Sequence, residues 1–447
     1  MHRDSNLKPG RTTMMSRTAV VSAALLLAAA CALKPVERRA AVQGLVGAAI
    51  APQLPPLPAA AAAAVALKSI EWSATDGFDS DFPSQIDFIE FDEKAYKAMR
   101  DDPRRTPKFT KAIANRLKAL GPDAVVLDLG TGPFCVLALV AAKYGAKKVY
   151  AVEANPEAAR RAKAFIAKCE KPNASGRDGE GVIPLAPGQI EVIEGFSTKL
   201  ELPQKVDLCV FEICGSIASE EGLYATMKDA KARHLKNPDD PGSYIPQRCQ
   251  TYAAPVSYAL HNLLTPPSYD WSKIAGKDPI RFNCRDEALQ LLAPPQLLED
   301  VNFAGPLPSL PATVSTKLAF NVDAASLQRA EANYADAFAN ERQLQSLLVK
   351  EDGSKASAAA TSADIAAKFS GLAMWPTLVL DDDVATLVKS RGANGEAQKS
   401  HWQTVLQLLA DAPVAVAAGT TISLAFDAKL DKDVTKAAAY KLGGSIA

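Results

Sequence analysis

The chain has 447 residues, of which 48% are hydrophobic, so it is long enough to form two or three domains with their own cores. Its 50 basic residues balance its 50 acidic residues, and this zero net charge argues against a protein held on nucleic acid by bulk charge. Seven cysteines without a CxxC pair and four scattered histidines indicate neither a disulfide framework nor a metal site.

Residues 1–70 have the composition of a disordered targeting leader, and we exclude them from the predicted fold. Arg11 and Arg17 precede an apolar stretch of about 15 residues, which is short for a membrane span of roughly 20. A second apolar stretch follows Arg38-Arg39. This order resembles the compound leaders of proteins imported into the plastids of complex-plastid algae, with the thylakoid lumen as one destination, and a secretory leader is the simpler alternative. We expect no stable membrane span in the mature chain.

Residues 71–120 form the next predicted unit, an acidic segment followed by helices. Seven acidic residues and no basic residue lie in 76–93, which suits either a basic partner or a solvated linker. The apolar spacing in 86–120 predicts helices that end at a glycine.

Residues 121–247 alternate short apolar runs with helical stretches. The runs AVVLDLG, KVYAVEA, IEVIEG and VDLCVFEI are too short for buried helices and predict buried parallel strands. Alternating strands and helices indicate an α/β fold with an open, doubly wound sheet of the Rossmann-like kind, whose ligand lies at the carboxyl ends of the strands.

Residues 248–447 change to short β-rich runs with prolines, which predict a β-barrel or β-sandwich. A stretch at 325–366 interrupts the pattern. In its first part, 325–350, the residue pattern has the period of a helix. Residues 351–366 are a low-complexity segment that we predict to be a flexible loop.

The turn LDLGTGP after the first predicted strand is a candidate nucleotide site. Gly130 and Gly132 would let a ligand lie on bare backbone, whereas Pro133-Phe134 occupies the place where dinucleotide folds have a phosphate-cradling glycine. Asp128 ends the first strand, and Glu153 ends the second, where a carboxylate can bind both ribose hydroxyls. The combination fits S-adenosyl-L-methionine better than NAD, and a purely structural turn is the alternative.

The stretch VFEICGSIASEEG, residues 210–222, places several carboxylates near the end of a predicted strand. Two carboxylates that face one pocket repel each other and normally need a cation between them. On one continuous helix Glu212 and Glu221 would lie on opposite faces, at 100° per residue. They can converge only if the segment folds back as a loop, which Gly215-Ser216 allows.

These motifs resemble the class I methyltransferases and, within them, the protein arginine methyltransferase family. Glu212, Gly215 and Glu221 fit its glutamate–glycine–glutamate spacing, and four further segments resemble the family in the correct order: MRDDPRRTPKF, GSYIPQRCQTYAAPV, PPQLLEDVNF and SHWQTVLQLL. The resemblance covers about residues 86–430 and implies a dimerisation arm at 262–293. The missing third glycine and the insertion mark a divergent member.

The resemblance also implies S-adenosyl-L-methionine as the cofactor and several residues that bind it. Arg105 takes the place of the arginine that pairs with the cofactor carboxylate. Tyr96 stands where several members have a cofactor-contacting histidine, and the adenine contact maps to Ser197 or Thr198.

The catalytic residues that the resemblance implies are two glutamates and a histidine–aspartate pair. Glu212 and Glu221 would clamp the substrate guanidinium, with Glu220 as a solvent-exposed neighbour. His401 would come from the β domain and pair with Asp102 as a proton acceptor or orienting pair.

The expected activity is methyl transfer to arginine in basic protein segments by a homodimer that does not bind nucleic acid directly. Two alternatives stay open: a class I methyltransferase with another acceptor, and a non-catalytic scaffold that keeps the fold.

Overall fold

The structure, a computed structural model, describes residues 64–74, 93–171, 183–264, 269–284, 286–349, 353–392 and 395–447. The predicted leader up to residue 63 and the acidic segment from 76 to 92 lie outside these residues. Among the helices of the described ranges, none is both long and apolar enough to cross a membrane.

The regular elements are as follows. The helices are α1 Glu93–Arg100, α2 Thr106–Leu120, α3 Val136–Lys143, α4 Pro156–Cys169, α5 Leu223–Arg233, α6 Ala259–Leu263, α7 Ala324–Asn340, α8 Arg342–Ser346 and α9 Ala358–Ala366. The strands are β1 Val65–Ala66, β2 Ile70–Ser73, β3 Val125–Leu129, β4 Lys148–Glu153, β5 Ile190–Glu194, β6 Leu208–Phe211, β7 Tyr244–Ile245, β8 Arg248–Tyr258, β9 Ile280–Asn283, β10 Leu289–Leu291, β11 Gln296–Asn302, β12 Ala312–Asn321, β13 Lys368–Phe369, β14 Gly371–Val379, β15 Val388–Lys389, β16 Gln403–Leu408, β17 Val414–Ala415, β18 Thr421–Leu430 and β19 Ala439–Ile446.

The first domain is built on a parallel sheet in the order β5-β4-β3-β6-β7. Its central strand β3 is buried along its whole length, as expected for a continuous apolar run that is covered on both faces. The predicted doubly wound α/β architecture is therefore confirmed. The carboxyl ends of β3, β4 and β6 lie at one edge of the sheet and carry Asp128, Glu153 and Glu212 toward the same region.

The second domain consists mainly of two antiparallel sheets. One has the order β10-β8-β14-β16-β9, with β11 on β8 and β15 on β14, and the other has the order β1-β19-β18-β12, with β2 on β19. Strands β13 and β17 form a separate pair. The alternating burial along β18 shows that one face of its sheet packs on the core, which its alternating sequence predicts.

The predicted boundary at residue 70 is wrong, because the last residues assigned to the leader belong to the second domain. β1 and β2 both pair with β19, and the pattern Ile70-Glu71-Trp72 alternates between buried and exposed. The Trp72 ring lies 5.3 Å from the Tyr440 ring and 6.3 Å from the Phe426 ring, between centroids. The strands β1 and β2 thus belong to the second domain, although they precede the first domain in the sequence.

The insertion at 325–366 is helical over more of its length than predicted. α7 agrees with the predicted helix, but the predicted loop is wrong at its end, where α9 packs against α7. Ser357 caps α9 by accepting a hydrogen bond from the Ala360 amide. The prediction missed this helix because it treated the low-complexity composition as a sign of a loop. Its alanines are strong helix formers, and their small side chains allow close packing.

The second half of the predicted dimerisation arm at 262–293 forms part of the seven-stranded sheet, and its role in dimerisation stays a prediction. β9 pairs with β16, and β10 pairs with β8. Phe282 of β9 stacks on Tyr258, with the ring centroids 5.7 Å apart, and Trp271 is buried in the same cluster. The segment is therefore integrated into its own chain by strand pairing and core contacts.

Replacing Trp72 with alanine tests whether β2 belongs to the folded unit. We expect Trp72→Ala to lower the free energy of unfolding by about 3–5 kcal/mol, because it empties a packed aromatic site. Trp72→Phe is the matched control and should cost far less, since the indole Nε1 has no hydrogen-bond partner among the described residues. Urea unfolding measures both, and equal stability of Trp72→Ala and the wild type would contradict the assignment.

Candidate active site

The glycine turn after β3 lines a cavity. Gly130 and Gly132 have φ values of +71° and +64°, which favour glycine. A Cβ at Gly130 would lie 2.8 Å from Cγ2 of Ile213, so a larger residue would displace that side chain. Cys135, just before α3, has a φ of 46° and provides the left-handed conformation without a third glycine.

Asp128 holds this turn in place from beneath. Its Oδ2 accepts hydrogen bonds from Thr131 Oγ1 at 2.6 Å and from the Ala138 amide at 2.9 Å. Its Oδ1 is buried without a hydrogen-bond partner among the described residues. Burial raises the pKa of Asp128 to about 7. The carboxyl group therefore stabilises the turn and leaves one oxygen for a donor in the cavity.

Glu153, at the end of β4, also contacts the turn. Its two carboxylate oxygens accept hydrogen bonds from the backbone amides of Gly132, at 2.8 Å, and Asn155, at 2.9 Å. Burial raises the pKa of Glu153 above its ordinary value. Each carboxylate oxygen can accept a second hydrogen bond, so Glu153 can bind ligand hydroxyls while it fixes the backbone.

Four charged or titratable side chains form a chain of contacts beside the turn. Arg105 donates from Nε and Nη2 to Glu212 Oε2, at 3.0 and 2.9 Å. Nε2 of His401 lies 3.6 Å from the same oxygen, and His401 Nδ1 lies 2.9 Å from Asp102 Oδ2. Arg105, Glu212, His401 and Asp102 are thus connected in order across the two domains.

These contacts keep the carboxylates of Glu212 and Asp102 ionised. Burial opposes ionisation of Glu212, but the charge of Arg105 and the nearby His401 imidazole outweigh it and lower its pKa to about 2. Burial likewise opposes ionisation of Asp102, whereas hydrogen bonds from His401 and the Arg104 amide lower its pKa to about 2. Glu212 is therefore an anion throughout the neutral range.

The glutamate loop, residues 212–222, brings Glu212 and Glu221 to one cavity. The chain between β6 and α5 has no regular element, as the fold-back prediction requires, and both side chains line the cavity. Burial and the charges of Glu212 and Glu220 raise the pKa of Glu221 well above its ordinary value. The pKa values of the two glutamates are thus shifted in opposite directions.

The second domain holds the glutamate loop through hydrogen bonds to its backbone and hydroxyl groups. Trp402 Nε1 donates to the Cys214 carbonyl at 2.8 Å, and Trp402 packs beside His401, with the ring centroids 3.8 Å apart. The Gln403 amide donates to Ser216 Oγ at 3.2 Å. The loop's conformation therefore depends on residues that directly follow His401 in the sequence.

Glu220 is buried, so its predicted exposure to solvent is wrong. Its side chain is 7% exposed and pairs with Arg281 of β9, whose side chain is 2% exposed. The sequence pattern could not show this pairing, because the partner lies on a distant strand of the other domain.

The structure brings most of the predicted site residues into the cavity wall. Those that line it are Tyr96, Arg105, Asp128, Gly130, Gly132, Glu153, Ser197, Glu212 and Glu221. Asp102 and His401 lie behind Glu212, in contact with it through His401. Ser197 is part of the wall and Thr198 is not.

Several wall residues were absent from the sequence prediction. Met99 and Arg100 lie in the predicted arginine-bearing segment, and the Arg100 guanidinium sits 5.0 Å from the ring centroid of Phe134. Thr226 of α5 and Val434 of the turn between β18 and β19 also line the cavity. Val434 carries no sequence signal, since it reaches the site only through the docking of the two domains.

The cavity has an excess of acidic groups. Its wall carries four carboxyl groups, from Asp128, Glu153, Glu212 and Glu221, against two guanidinium groups, from Arg100 and Arg105. This balance favours a ligand with net positive charge over a diphosphate. No group of three or more metal-binding side chains occurs in the part of the chain that the structure describes.

Comparisons with known proteins point to one family. No protein-family profile matches the chain. Protein arginine N-methyltransferase 6 of Danio rerio is 30% identical over 207 residues, which are 45% of this chain and 52% of that protein. Protein arginine N-methyltransferase PRMT10 of Arabidopsis thaliana is 34% identical over 131 residues, 29% of each chain. The chain thus matches about half the length of the first relative and less of the second.

A solved structure is similar over a larger part of the chain. The structure of Arabidopsis thaliana protein arginine methyltransferase 10 aligns with a TM-score of 0.50 at 16% identity, over 80% of this chain and 98% of that one. This likeness supports the two-domain fold.

Replacing Glu221 with glutamine and replacing Glu212 with glutamine should change the free energy of unfolding in opposite directions. Glu221→Gln should raise the free energy of unfolding at neutral pH by about 1 kcal/mol, because it removes a carboxylate whose pKa is raised. In the wild type, Glu221 of the folded state binds a proton as the pH falls. The free energy of unfolding that the substitution adds should therefore shrink toward acidic pH.

Glu212→Gln should instead lower the free energy of unfolding by about 3 kcal/mol, because it leaves buried Arg105 unpaired. The stabilisation by Glu212 is present above its unfolded pKa near 4.5 and is lost as the pH falls toward about 2. Urea unfolding of the cofactor-free proteins at several pH values measures both effects. Equal effects of the two substitutions would contradict the opposite pKa shifts.

Proposed function

We propose that this chain, a divergent member of the protein arginine methyltransferase family, transfers a methyl group from S-adenosyl-L-methionine to a guanidino nitrogen of arginine in basic protein segments. The observation that carries the proposal is the convergence of Glu212 and Glu221 on the cavity that contains the glycine turn. The relatives' names support the same reaction.

The residues present fit this cofactor. The excess of acidic groups suits a sulfonium and an amino group, and the buried, unpartnered Oδ1 of Asp128 suits a hydrogen-bond donor. S-adenosyl-L-methionine supplies a methyl group activated by a sulfonium sulfur. The residues that would hold the cofactor are Tyr96, Arg105, Asp128, Gly130, Gly132, Glu153 and Ser197.

The two glutamates would bind and polarise the substrate guanidinium. A guanidinium has a pKa above about 12, so the enzyme cannot deprotonate it in advance. Glu212 and Glu221 can each accept guanidinium N–H bonds, which fixes the plane of the group and draws its positive charge away from the attacking nitrogen. The pKa of Glu221 is raised in the free protein. A guanidinium that binds beside this carboxyl group lowers its pKa and so favours its ionised form.

His401 and Asp102 would act together behind Glu212. Asp102 accepts a hydrogen bond from His401 Nδ1, which orients the ring so that Nε2 faces Glu212. An imidazole held in this way can take up a proton near the clamp after transfer. We assign this pair to orientation of Glu212 and to proton acceptance.

Homodimer formation and import through the leader, into a plastid or along the secretory pathway, complete the proposal. Both rest on the sequence resemblance. Size-exclusion chromatography with light scattering tests the first, and microscopy of a fluorescent fusion to residues 1–70 tests the second.

The direct test of the activity is incubation with methyl-labelled cofactor and a mixture of basic peptides, followed by amino-acid analysis of the product. We expect the label in methylarginine. Label in another residue or in a small molecule would favour a class I methyltransferase with a different acceptor, and failure to bind the cofactor in calorimetry would favour a scaffold.

Glu221→Gln tests the clamp. We expect turnover with an arginine peptide to fall at least 100-fold, because a preorganised charged acceptor is removed, whereas cofactor affinity should change little. Glu331→Gln, on the exposed side of α7, is the matched control and should leave turnover unchanged. Normal turnover of Glu221→Gln would refute the clamp.

A further inference from the structure

The two consecutive glutamates of the glutamate loop point in opposite directions. Glu221 lines the cavity, whereas Glu220 turns back into the second domain. Nη2 of Arg281 donates to Glu220 Oε1 at 2.5 Å, and Nη1 donates to Oε2 at 3.4 Å. A buried guanidinium therefore neutralises the acid that directly precedes the second clamp residue.

Glu220 also stabilises the fold-back of its own loop. Its Oε2 accepts a hydrogen bond from the Ile217 amide at 3.0 Å. A Cβ at Gly215 would lie 2.5 Å from Cβ and 2.7 Å from Oε2 of Glu220, so this packing requires a residue without a side chain. The glycine between the two clamp residues thus makes room for Glu220.

Arg281 is itself held by two other parts of the second domain. In the pairing of β9 with β16, Arg281 lies opposite Val405, in the strand that follows His401 and Trp402. Its Nη2 also donates to the Ala74 carbonyl at 3.1 Å, just after β2. The guanidinium therefore connects the glutamate loop to the strand that follows His401 and to the chain segment after β2.

A second polar contact holds the same loop beside Glu220. Ser219 Oγ donates to Glu299 Oε1 at 2.6 Å and lies 3.0 Å from the Tyr440 hydroxyl. Glu299 is buried and brings another acidic group near Glu220. A cation at the position of Arg281 is thus needed for the loop to keep its acids inside the domain.

We propose that Arg281 is a positioning residue for Glu221: by holding Glu220 inside the second domain, it turns the next carboxylate toward the substrate. The consequence for catalysis rests on the proposed function, whereas the coupling of Arg281 to Glu220 does not. Without Arg281, Glu220 would be an unpaired buried anion beside Glu221.

This change should alter the titration of Glu221. The charged groups that act on Glu221 are Glu212, Glu220 and Arg105. Loss of Arg281 leaves the negative charge of Glu220 uncompensated, so protonation of Glu221 should become easier. The acidic limb of the pH–rate profile should then move to higher pH.

The first experiment needs no activity. Thermal unfolding and hydrogen exchange of the cofactor-free protein compare Arg281→Met, Glu220→Gln, the double variant and the control Arg248→Met, which breaks a more exposed ion pair with Asp300. Arg281→Met should lower Tm by about 5–10 °C and accelerate exchange in the glutamate loop. The double variant should recover part of both losses. Additive effects of the two single substitutions would overturn the coupling.

The second experiment measures methyl transfer to an arginine peptide across pH. Arg281→Met should lower kcat at least 10-fold and move the acidic limb upward by about half a pH unit or more, with unchanged cofactor affinity. Arg281→Lys and the double variant should move the limb back. A wild-type profile for Arg281→Met would overturn the positioning role. Absence of arginine methylation by the wild type would refute the proposed function and leave the coupling result intact.

Discussion

Repulsion between the carboxylates of one short loop is the constraint on which the rest of the site depends. Three glutamates lie within residues 212–222, and each is accommodated differently. Glu212 is paired with Arg105, and Glu220 is paired with Arg281. Glu221 has the other two acids as neighbours, and its raised pKa reflects their charges and its burial. The protein thus compensates two of the three charges by ion pairs, and the third glutamate, Glu221, has no ion-pair partner among the described residues.

This arrangement makes the two domains one functional unit. The cations and hydrogen-bond partners of the loop come from both domains: Arg105 precedes the parallel sheet, whereas Arg281 and Trp402 belong to the second domain. A rotation of the second domain would break several of these contacts together, and it would leave buried acids without partners. The early strand β2, which pairs with the terminal strand β19, ties the start of the described chain to the same domain.

The sequence predicted the features that have a period or a fixed spacing. Buried runs such as VVLDL indicated the parallel sheet, and the resemblance carried by Glu212, Gly215 and Glu221 implied two glutamates at one pocket, which their spacing allows only in a loop. The inward direction of Glu220 was not predictable, because side chains of an irregular loop follow no period. β2 was missed for a related reason: four residues of alternation beside an alanine-rich stretch are too few to identify a strand.

The opposite pKa shifts of Glu212 and Glu221 connect the stability of the protein with the charge of a ligand in the cavity. Glu212 has a pKa of about 2 and presents a charge that Arg105 has already compensated. Glu221 has a raised pKa, so the free protein reduces the repulsion by binding a proton there more readily. A cation that enters the cavity reverses this balance and favours release of that proton. Binding of a cation and ionisation of Glu221 are therefore coupled, and a neutral ligand of the same shape cannot gain this part of the binding free energy.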